Sequence, residues 1–295
     1  MIDPKDVTII IPHLGASEES QFALTQCLPS LLETSECPII IATNGSEKHT
    51  FSGDLERVTQ VHVSAQGQCK AVNAAVATTN TPWIFVTNDD MVYAPGWFES
   101  LTRIVDLSGN VTDKPLLAFD GERPVCLSPM LVEPRPGAPT FQEYFCGGAG
   151  GDFDKTKFLK YVEDWKGKRF MQGGHRPGFN LPFLIRRDLW DTVGGYDINY
   201  DPWGSNSDSD LEYKIKLAGV LPRQNKNCLV YHFSQTSGTF HPDNQAHWQK
   251  NWDYFIEKWG FPRTDEGIWE ATFDIPEPPV RKFTPDWEGK YAVRV

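Results

Sequence analysis

Three short runs of β-branched and aromatic residues most constrain what this chain can fold into. They are Val7-Thr8-Ile9-Ile10-Ile11, Pro38-Ile39-Ile40-Ile41-Ala42 and Trp83-Ile84-Phe85-Val86-Thr87. Such apolar runs read as buried strands. Helical spacing lies between and after them. Ser20 to Glu33 places Phe22, Leu24, Cys27, Leu28, Leu31 and Leu32 on one side, with Pro29 expected to kink or split the helix. Gln68 to Thr79 has helical Ala and Val spacing, and Pro95 to Val105 reads as a helix beginning near its proline. Val58 to Val63 is a further candidate strand. Alternating strands and helices imply an α/β fold with a parallel sheet and right-handed crossovers. The loops after Ile11, Ala42 and Thr87 should then gather along one sheet edge, where open α/β sheets bind ligands.

The pattern weakens from about Asp120 to Arg176, where Pro and Gly are dense and Gly147-Gly148-Ala149-Gly150-Gly151 occurs. This stretch is expected to be loop-rich or to hold short strands. Phe179 to Ile185 reads as a strand, Arg187 to Val193 as a helix, and Asp210 to Ala218 as a helix closed by Gly219. Cys228 to Phe233 is the last core strand. Gln245 to Trp259 reads as an aromatic-rich helix ending at Gly260, followed by Pro-rich extended chain.

At 295 residues, the chain has room for one large α/β domain, alone or with an appendage. Its net charge of −11 disfavours a nucleic-acid backbone as the main partner, without excluding nucleic acid as an acceptor. There is no run of about 18 apolar residues to span a bilayer, and Met1 to Asp6 is no signal peptide. Cys27, Cys37, Cys69, Cys126, Cys146 and Cys228 are scattered, with no metal spacing, and read as reduced thiols of a cytoplasmic protein. Asn44-Gly45-Ser46 and Asn110-Val111-Thr112 match a glycosylation pattern that means little in that setting.

The chemistry concentrates in three places. Asn88-Asp89-Asp90-Met91 ends the Trp83 strand in two acids, which suits a hard divalent cation and the phosphate that usually accompanies one. Ser207-Asp208-Ser209-Asp210-Leu211 puts acids at a helix start, where capping is the simpler explanation. His232 ends the Leu229-Val230-Tyr231 strand and is either structural or a metal ligand. There is no G-x-G-x-x-G after the first strand and no G-x-x-x-x-G-K-[ST], G-x-S-x-G or H-E-x-x-H. Dinucleotide dehydrogenases, P-loop enzymes, α/β-hydrolases and zincins are therefore disfavoured.

Taken in order, these pieces resemble glycosyltransferase family 2, which has the A-type nucleotide-diphosphosugar transferase fold (GT-A). Val7 to Pro12 resembles the family's opening strand and proline. Thr43-Asn44-Gly45-Ser46 resembles its Asp-Asn-Gly-Ser nucleoside loop. Gly67 with Asn73 resembles its Gly-x-x-x-Ala-x-Asn helix, and Asn88-Asp89-Asp90 its metal-binding D-x-D. Leu184-Ile185-Arg186-Arg187 leading to Gly194-Gly195-Tyr196-Asp197 resembles the strand and turn of the acceptor half. Ser207-Asp208-Ser209-Asp210-Leu211 resembles its Glu-Asp-x-Asp-Leu motif. The resemblance runs over roughly residues 7 to 235 by motif order. Thr43, Asn88 and Ser207 stand where the family usually has acids.

The resemblance implies a Rossmann-like, mostly parallel central sheet flanked by helices. Residues 1–240 would form the catalytic domain, with a nucleotide-binding half (1–105) and a loop-rich acceptor half (106–240). Residues 241–295 would pack on it as a helix and extended tail. It implies transfer of a sugar from a nucleotide diphosphosugar, UDP-linked by preference and GDP- or dTDP-linked as alternatives, to a glycan or other hydroxyl acceptor. Asp90 and His232 would hold Mn2+ or Mg2+, and Asp208 would be the general base of an inverting reaction. Pro12, His13, Asn44, Lys70, Asn73 and Asp89 would hold the nucleotide, and Trp203, Gly204 and Asn180 the substrate. Two rivals stay open: a catalytically inactive sugar- or nucleotide-binding relative, and a nucleotidyltransferase.

Overall fold

The computed structural model describes residues 2–15, 17–45, 56–105, 111–112, 126–134, 141–168, 175–218, 220, 222–234 and 242–260. Ser46, Asn110, Gly219 and the Pro-rich tail from 261 onward lie outside the described residues.

The strand and helix order expected for the first third is met closely. β1 (Val7–His13), β2 (Ile39–Asn44), β3 (Val58–Val63) and β4 (Trp83–Val86) alternate with α1 (Glu18–Thr34) and α2 (Gln68–Ala77). β1 runs parallel to β2 and to β4, and β2 runs parallel to β3. Ser17 caps α1 by accepting the Ser20 N–H at 3.0 Å, with Glu18 and Glu19 in the first turn. Pro29 does not split the helix: α1 continues through it to Thr34. After β4 the chain forms a short β5 (Met91–Tyr93) and then α3 (Trp97–Thr102), which is shorter than the expected Pro95 to Val105 helix. Ile104–Val105 (β6) instead pairs with Val111–Thr112 (β7) as a separate ribbon.

The second half differs more from expectation. The Pro/Gly-dense region contains β8 (Cys126–Glu133), β9 (Phe141–Glu143) and the 14-residue α4 (Lys155–Lys168). Next come β10 (His175–Pro177), β11 (Phe183–Arg186), α5 (Arg187–Val193) and α6 (Ser207–Leu217). β12 (Arg223–His232) and α7 (Gln245–Trp259) complete the order. Strands from both halves share one ten-stranded mixed sheet, whose main path is β10-β12-β8-β11-β4-β1-β2-β3. β11 is antiparallel to both β4 and β8, while β8 and β12 are parallel to each other. β1, β2, β4, β8 and β12 therefore all end on the same edge.

Alternate residues of the central strands feed opposite faces of the sheet, as the two-residue strand period requires. Ile10, Ile84, Val86, Phe183 and Ile185 join Val72, Trp190, Leu211 and Phe255 on one face. Val7, Ile9, Ile11, Phe85 and Leu184 join Leu24, Leu31, Trp97 and Leu101 on the other. A third cluster packs Phe158 and Val162 of α4 against Val132, Leu229 and Tyr231. Helices thus cover both faces, which explains why the three opening runs are mostly apolar rather than alternating. Among the described residues no helix is long and apolar enough to cross a membrane.

Candidate active site

The strand register assembles the first cluster. β5 pairs antiparallel with β12, with His232 opposite Met91, so Asp90 lies beside His232. The Phe233 N–H donates to the Asp90 carbonyl at 3.0 Å and fixes that approach. His232 Nε2 lies 3.3 Å from Asp90 Oδ2. On the other side of the ring, Nδ1 lies 2.6 Å from Glu133 Oε1 at the end of β8. Burial pulls the imidazole pKa down, but the carboxylates of Asp90 and Glu133 outweigh it and raise it to about 10.

Asp90 and His232 offer one hard oxygen donor and one imidazole nitrogen, both largely buried. That pair fits a divalent cation which takes its remaining ligands from phosphate and water. Among the described residues, no group of three or more His, Cys, Asp or Glu side chains is arranged to hold a metal by itself.

Asp89 turns the other way. Its Oδ2 meets His13 Nδ1 at 2.5 Å and accepts the Ser20 hydroxyl at 3.1 Å. Burial raises its carboxyl above the usual range, with Asp90's charge adding to the effect and His13 and Ser20 opposing it. Pro12 is buried in β1 opposite Ala42. The His13 carbonyl accepts from Asn44 Nδ2 at 3.2 Å, and Asn44 Oδ1 accepts the Gly67 N–H at 3.0 Å. Asn44 is therefore a clip between the ends of β1 and β2 and the start of α2.

The second cluster surrounds Asp208, in the first turn of α6. The buried Tyr196 phenol donates to Asp208 Oδ1 at 2.9 Å. Trp203 is half-exposed, with its ring 6.4 Å from that of His247. Gln68 joins the two clusters: its amide donates to Asn88 Oδ1 at 3.4 Å, and it lines the open side of Gly204 together with Ser207. The acidic junction of β4 and the Gly204–Asp208 segment thus lie on the two sides of Gln68.

Asp201 ties the loop before Trp203 to the start of α2. Its two oxygens each accept a helix-start N–H at 3.0 Å, from Cys69 and from Lys70. Burial raises the Asp201 carboxyl, while these amides and the Lys70 charge oppose the rise. The Cys69 and Lys70 amides at the start of α2 are thus taken up by Asp201, and the Lys70 charge favours that carboxylate.

Two more residues expected to bind ligand make hydrogen bonds that hold the fold. Asn73 holds both the N–H and the carbonyl of Tyr196, at 3.0 and 2.8 Å, and fixes the Gly194-Gly195 turn. Asn180 is buried, donates to the carbonyls of Pro129 and Leu181, and accepts from Gln224. Glu133 was missed by the sequence reading. The signal was an acid directly after Met130-Leu131-Val132, the same strand-to-acid junction that marks Asp89 and Asp90.

Asp210 is structural. Lys258 of α7 bridges Asp210 and Asp197 at 2.7 Å each, and Trp259 donates to Asp210 at 3.0 Å. Burial works against the Asp210 charge, but Lys258 and Lys214 outweigh it and hold the carboxyl below its usual range. Tyr254 donates to Asp197 at 2.8 Å and Asn251 to the Tyr200 carbonyl at 2.7 Å. One polar face of α7 thus holds the segment that carries Trp203 and Asp208. All six cysteines are free and buried, and burial raises every one of the thiols.

Residues 8–125 match the family described as glycosyl transferase family 2. No curated protein matches the chain in sequence. Among solved structures, that of GalNAc-T7 with UDP, GalNAc and Mn2+ matches with a TM-score of 0.56 at 15% identity, over 86% of this chain and 48% of that one. The chain therefore spans about half the length of that structure. The mannosyltransferase PcManGT from Pyrobaculum calidifontis, in complex with GDP-Man and Mn2+, has a TM-score of 0.47 at 13% identity, over 91% of this chain and 69% of that one. S. aureus TarS 1-349 has a TM-score of 0.47 at 12% identity, over 90% and 75%. The likeness to GalNAc-T7 establishes the fold as GT-A.

Proposed function

We propose that this chain, whose residues 8–125 fall in glycosyl transferase family 2, transfers a sugar from a nucleotide diphosphosugar to a hydroxyl acceptor in a metal-assisted reaction. The observation that carries the reading is the convergence of Asp90 and His232 at 3.3 Å on the carboxyl edge of the sheet, with the Asp208 segment across Gln68. A UDP-sugar is the favoured donor, because GalNAc-T7, which shares the fold, was solved with UDP, GalNAc and Mn2+. GDP- and dTDP-sugars remain alternatives, and a glycan is the favoured acceptor. Buried, raised thiols fit a cytoplasmic setting.

In this reading Asp90 and His232 hold Mn2+ or Mg2+. Bound there, the cation supplies Lewis-acid stabilisation of the charge developing on the diphosphate. The bond between the anomeric carbon and the phosphate oxygen breaks, and the nucleoside diphosphate leaves with the electron pair. The acceptor oxygen forms the new bond from the opposite face, and Asp208 takes its proton, which inverts the anomeric centre. Tyr196 holds the Asp208 carboxylate in one orientation through the 2.9 Å hydrogen bond. The half-exposed Trp203 offers a ring face for a sugar to stack on.

Release of nucleoside diphosphate from sugar nucleotides tests the class of activity. Mn2+-dependent release that Asp90→Ala abolishes is expected. A chain that binds donors and never turns them over would be an inactive binding relative. Pyrophosphate release from a nucleoside triphosphate and a sugar phosphate would make it a nucleotidyltransferase.

A further inference from the structure

We infer that Glu133 is a positioning residue of the metal site, which fixes the tautomer and orientation of His232 so that Nε2 faces the cation. The inference rests on the metal reading of Asp90 and His232 above. The placement comes from three adjacent strands. β8 and β12 run parallel with Val132 opposite Tyr231, and each strand continues by one residue, to Glu133 and His232. β12 and β5 pair with His232 opposite Met91, one residue beyond Asp90. Glu133, His232 and Asp90 consequently stand in a row along the sheet edge.

The contacts within that row are directional. Glu133 meets Nδ1 at 2.6 Å, whereas Asp90 meets Nε2 at 3.3 Å. These nitrogens lie on opposite sides of the ring, so the two carboxylates divide the imidazole between them. A neutral imidazole has one N–H and one lone pair. With Nδ1–H donated to Glu133, the nitrogen that would give up its proton to an incoming cation is Nε2, on the Asp90 side. A metal-binding histidine usually has its second nitrogen held in this way by a carboxylate or carbonyl, which also makes the ring more basic toward the metal.

Burial strengthens the argument. The Glu133 side chain is 6% exposed and Asp90's is 7% exposed. A buried carboxylate is costly unless it is paired. The His232 N–H supplies that pairing, and the backbone of Glu133 is fixed by the Tyr144 N–H donating to its carbonyl at 2.9 Å. Glu133 therefore has little freedom to leave the ring.

The test is direct titration of Mn2+, alone and in the presence of UDP, into the unaltered chain, Glu133→Gln, His232→Ala and the double variant. Gln keeps the size of the side chain and loses the charge. Glu133→Gln should weaken Mn2+ binding by roughly 10- to 100-fold, the usual effect of losing such a partner. In the His232→Ala background the same change should have no further effect, because Glu133 acts only through the ring. Glu133→Asp, which keeps the charge, should recover part of the loss. Thermal midpoints without metal report whether each variant is folded.

Mn2+ affinity in a folded Glu133→Gln variant that stays within about twofold of the unaltered chain would overturn the role of Glu133 alone. So would losses that simply add in the double variant. No Mn2+ binding by the unaltered chain under either condition would bring down the metal reading itself, and Glu133's role with it.

Discussion

The phenol of Tyr196 donates to Asp208 Oδ1 at 2.9 Å, closing the segment from Asp197 to Ser207 between them. Tyr196 is itself buried, and Asn73 holds its backbone from α2. The carboxylate at the start of α6 is thereby tied to α2. Asp208→Asn should lower transfer by about 10²- to 10⁴-fold, the range for loss of a positioned base, while donor affinity stays near that of the unaltered chain. Tyr196→Phe should lower kcat by roughly tenfold, about the value of one hydrogen bond to a charged group, and leave the donor KM unchanged. Steady-state kinetics separate the two. Loss of donor binding in Asp208→Asn would move that residue to the donor or metal side.

α7 holds the Asp197–Asp210 segment through buried charge. Lys258 is 1% exposed and bridges Asp197 and Asp210. Lys258→Met removes the cation shared by two buried carboxylates and should cost about 3–5 kcal/mol of stability, as breaking a buried ion pair does. Tyr254→Phe removes only one donor to Asp197 and should cost about 1 kcal/mol. Urea unfolding measures both. Similar small losses would mean that the network contributes little.

Gly67 is required by a close approach. Its φ is +151°, and an added Cβ would lie 2.1 Å from Asp201 Cγ, the carboxylate that caps α2. Gly67→Ala should destabilise by roughly 2 kcal/mol or more, because backbone strain and displacement of the cap add. Gly96, with φ +78° and open space around its Cβ position, carries the strain alone. Gly96→Ala should cost about 1 kcal/mol. Equal costs would remove Asp201 from the explanation.

Lys214 gives the protein a pH signature. It is buried on α6, donates to the Gly195 carbonyl at 2.5 Å and lies 3.4 Å from Asp210. Burial lowers it from 10.5 to about 8, with Lys258 adding to the effect and Asp210 opposing it. Between about pH 8 and 10.5 the unfolded chain holds this proton and the folded chain has lost it. Stability from this group therefore rises with pH through that window. Below pH 8 both states are protonated and the cost of the buried charge is fully present. Relative to Lys214→Met, the unaltered chain should gain stability from pH 8 to 10, by no more than about 3 kcal/mol. Denaturant melts at the two pH values check it, and a falling difference would contradict the assignment.

What the sequence made legible follows from how locally each feature is encoded. β1, β2, β4 and α7 each carry their own pattern, so they were readable without the rest of the fold. β8 was not, because Ser128 and Pro129 interrupt it. Pro129 lies at Asn225 in the β12 register, where the pairing shifts before Leu229. There the side chains of Asn180 and Gln224 donate to the Pro129 carbonyl. A proline tolerated at such an irregularity has no signature in its own segment. With β8 hidden, Glu133 could not be placed beside His232. α4 was hidden because its sequence is rich in Lys, Glu and Asp, and among its described residues only Phe158 and Val162 are fully buried, with Leu159, Tyr161 and Trp165 partly so.

The site residues divide in the same way. Asp89, Asp90 and His232 were marked by chemistry at strand ends. Asn73 and Asn180 were named for donor or substrate binding, yet their amides are spent on backbone of distant segments, at Tyr196 and Pro129. Such partners depend on tertiary contacts that no local pattern encodes. Asp201, which ties α2 to the loop before Trp203, gave no signal at all.

The most direct test of the account is a thermal-shift panel of UDP-, GDP- and dTDP-sugars with and without Mn2+, on the unaltered chain and on Asp90→Ala. Binding to the folded state alone raises the melting point by mass action. The account predicts a rise for one nucleotide, UDP by preference, that requires Mn2+ and disappears in Asp90→Ala. A rise that is independent of Mn2+ and survives Asp90→Ala, or no rise with any donor, would contradict it.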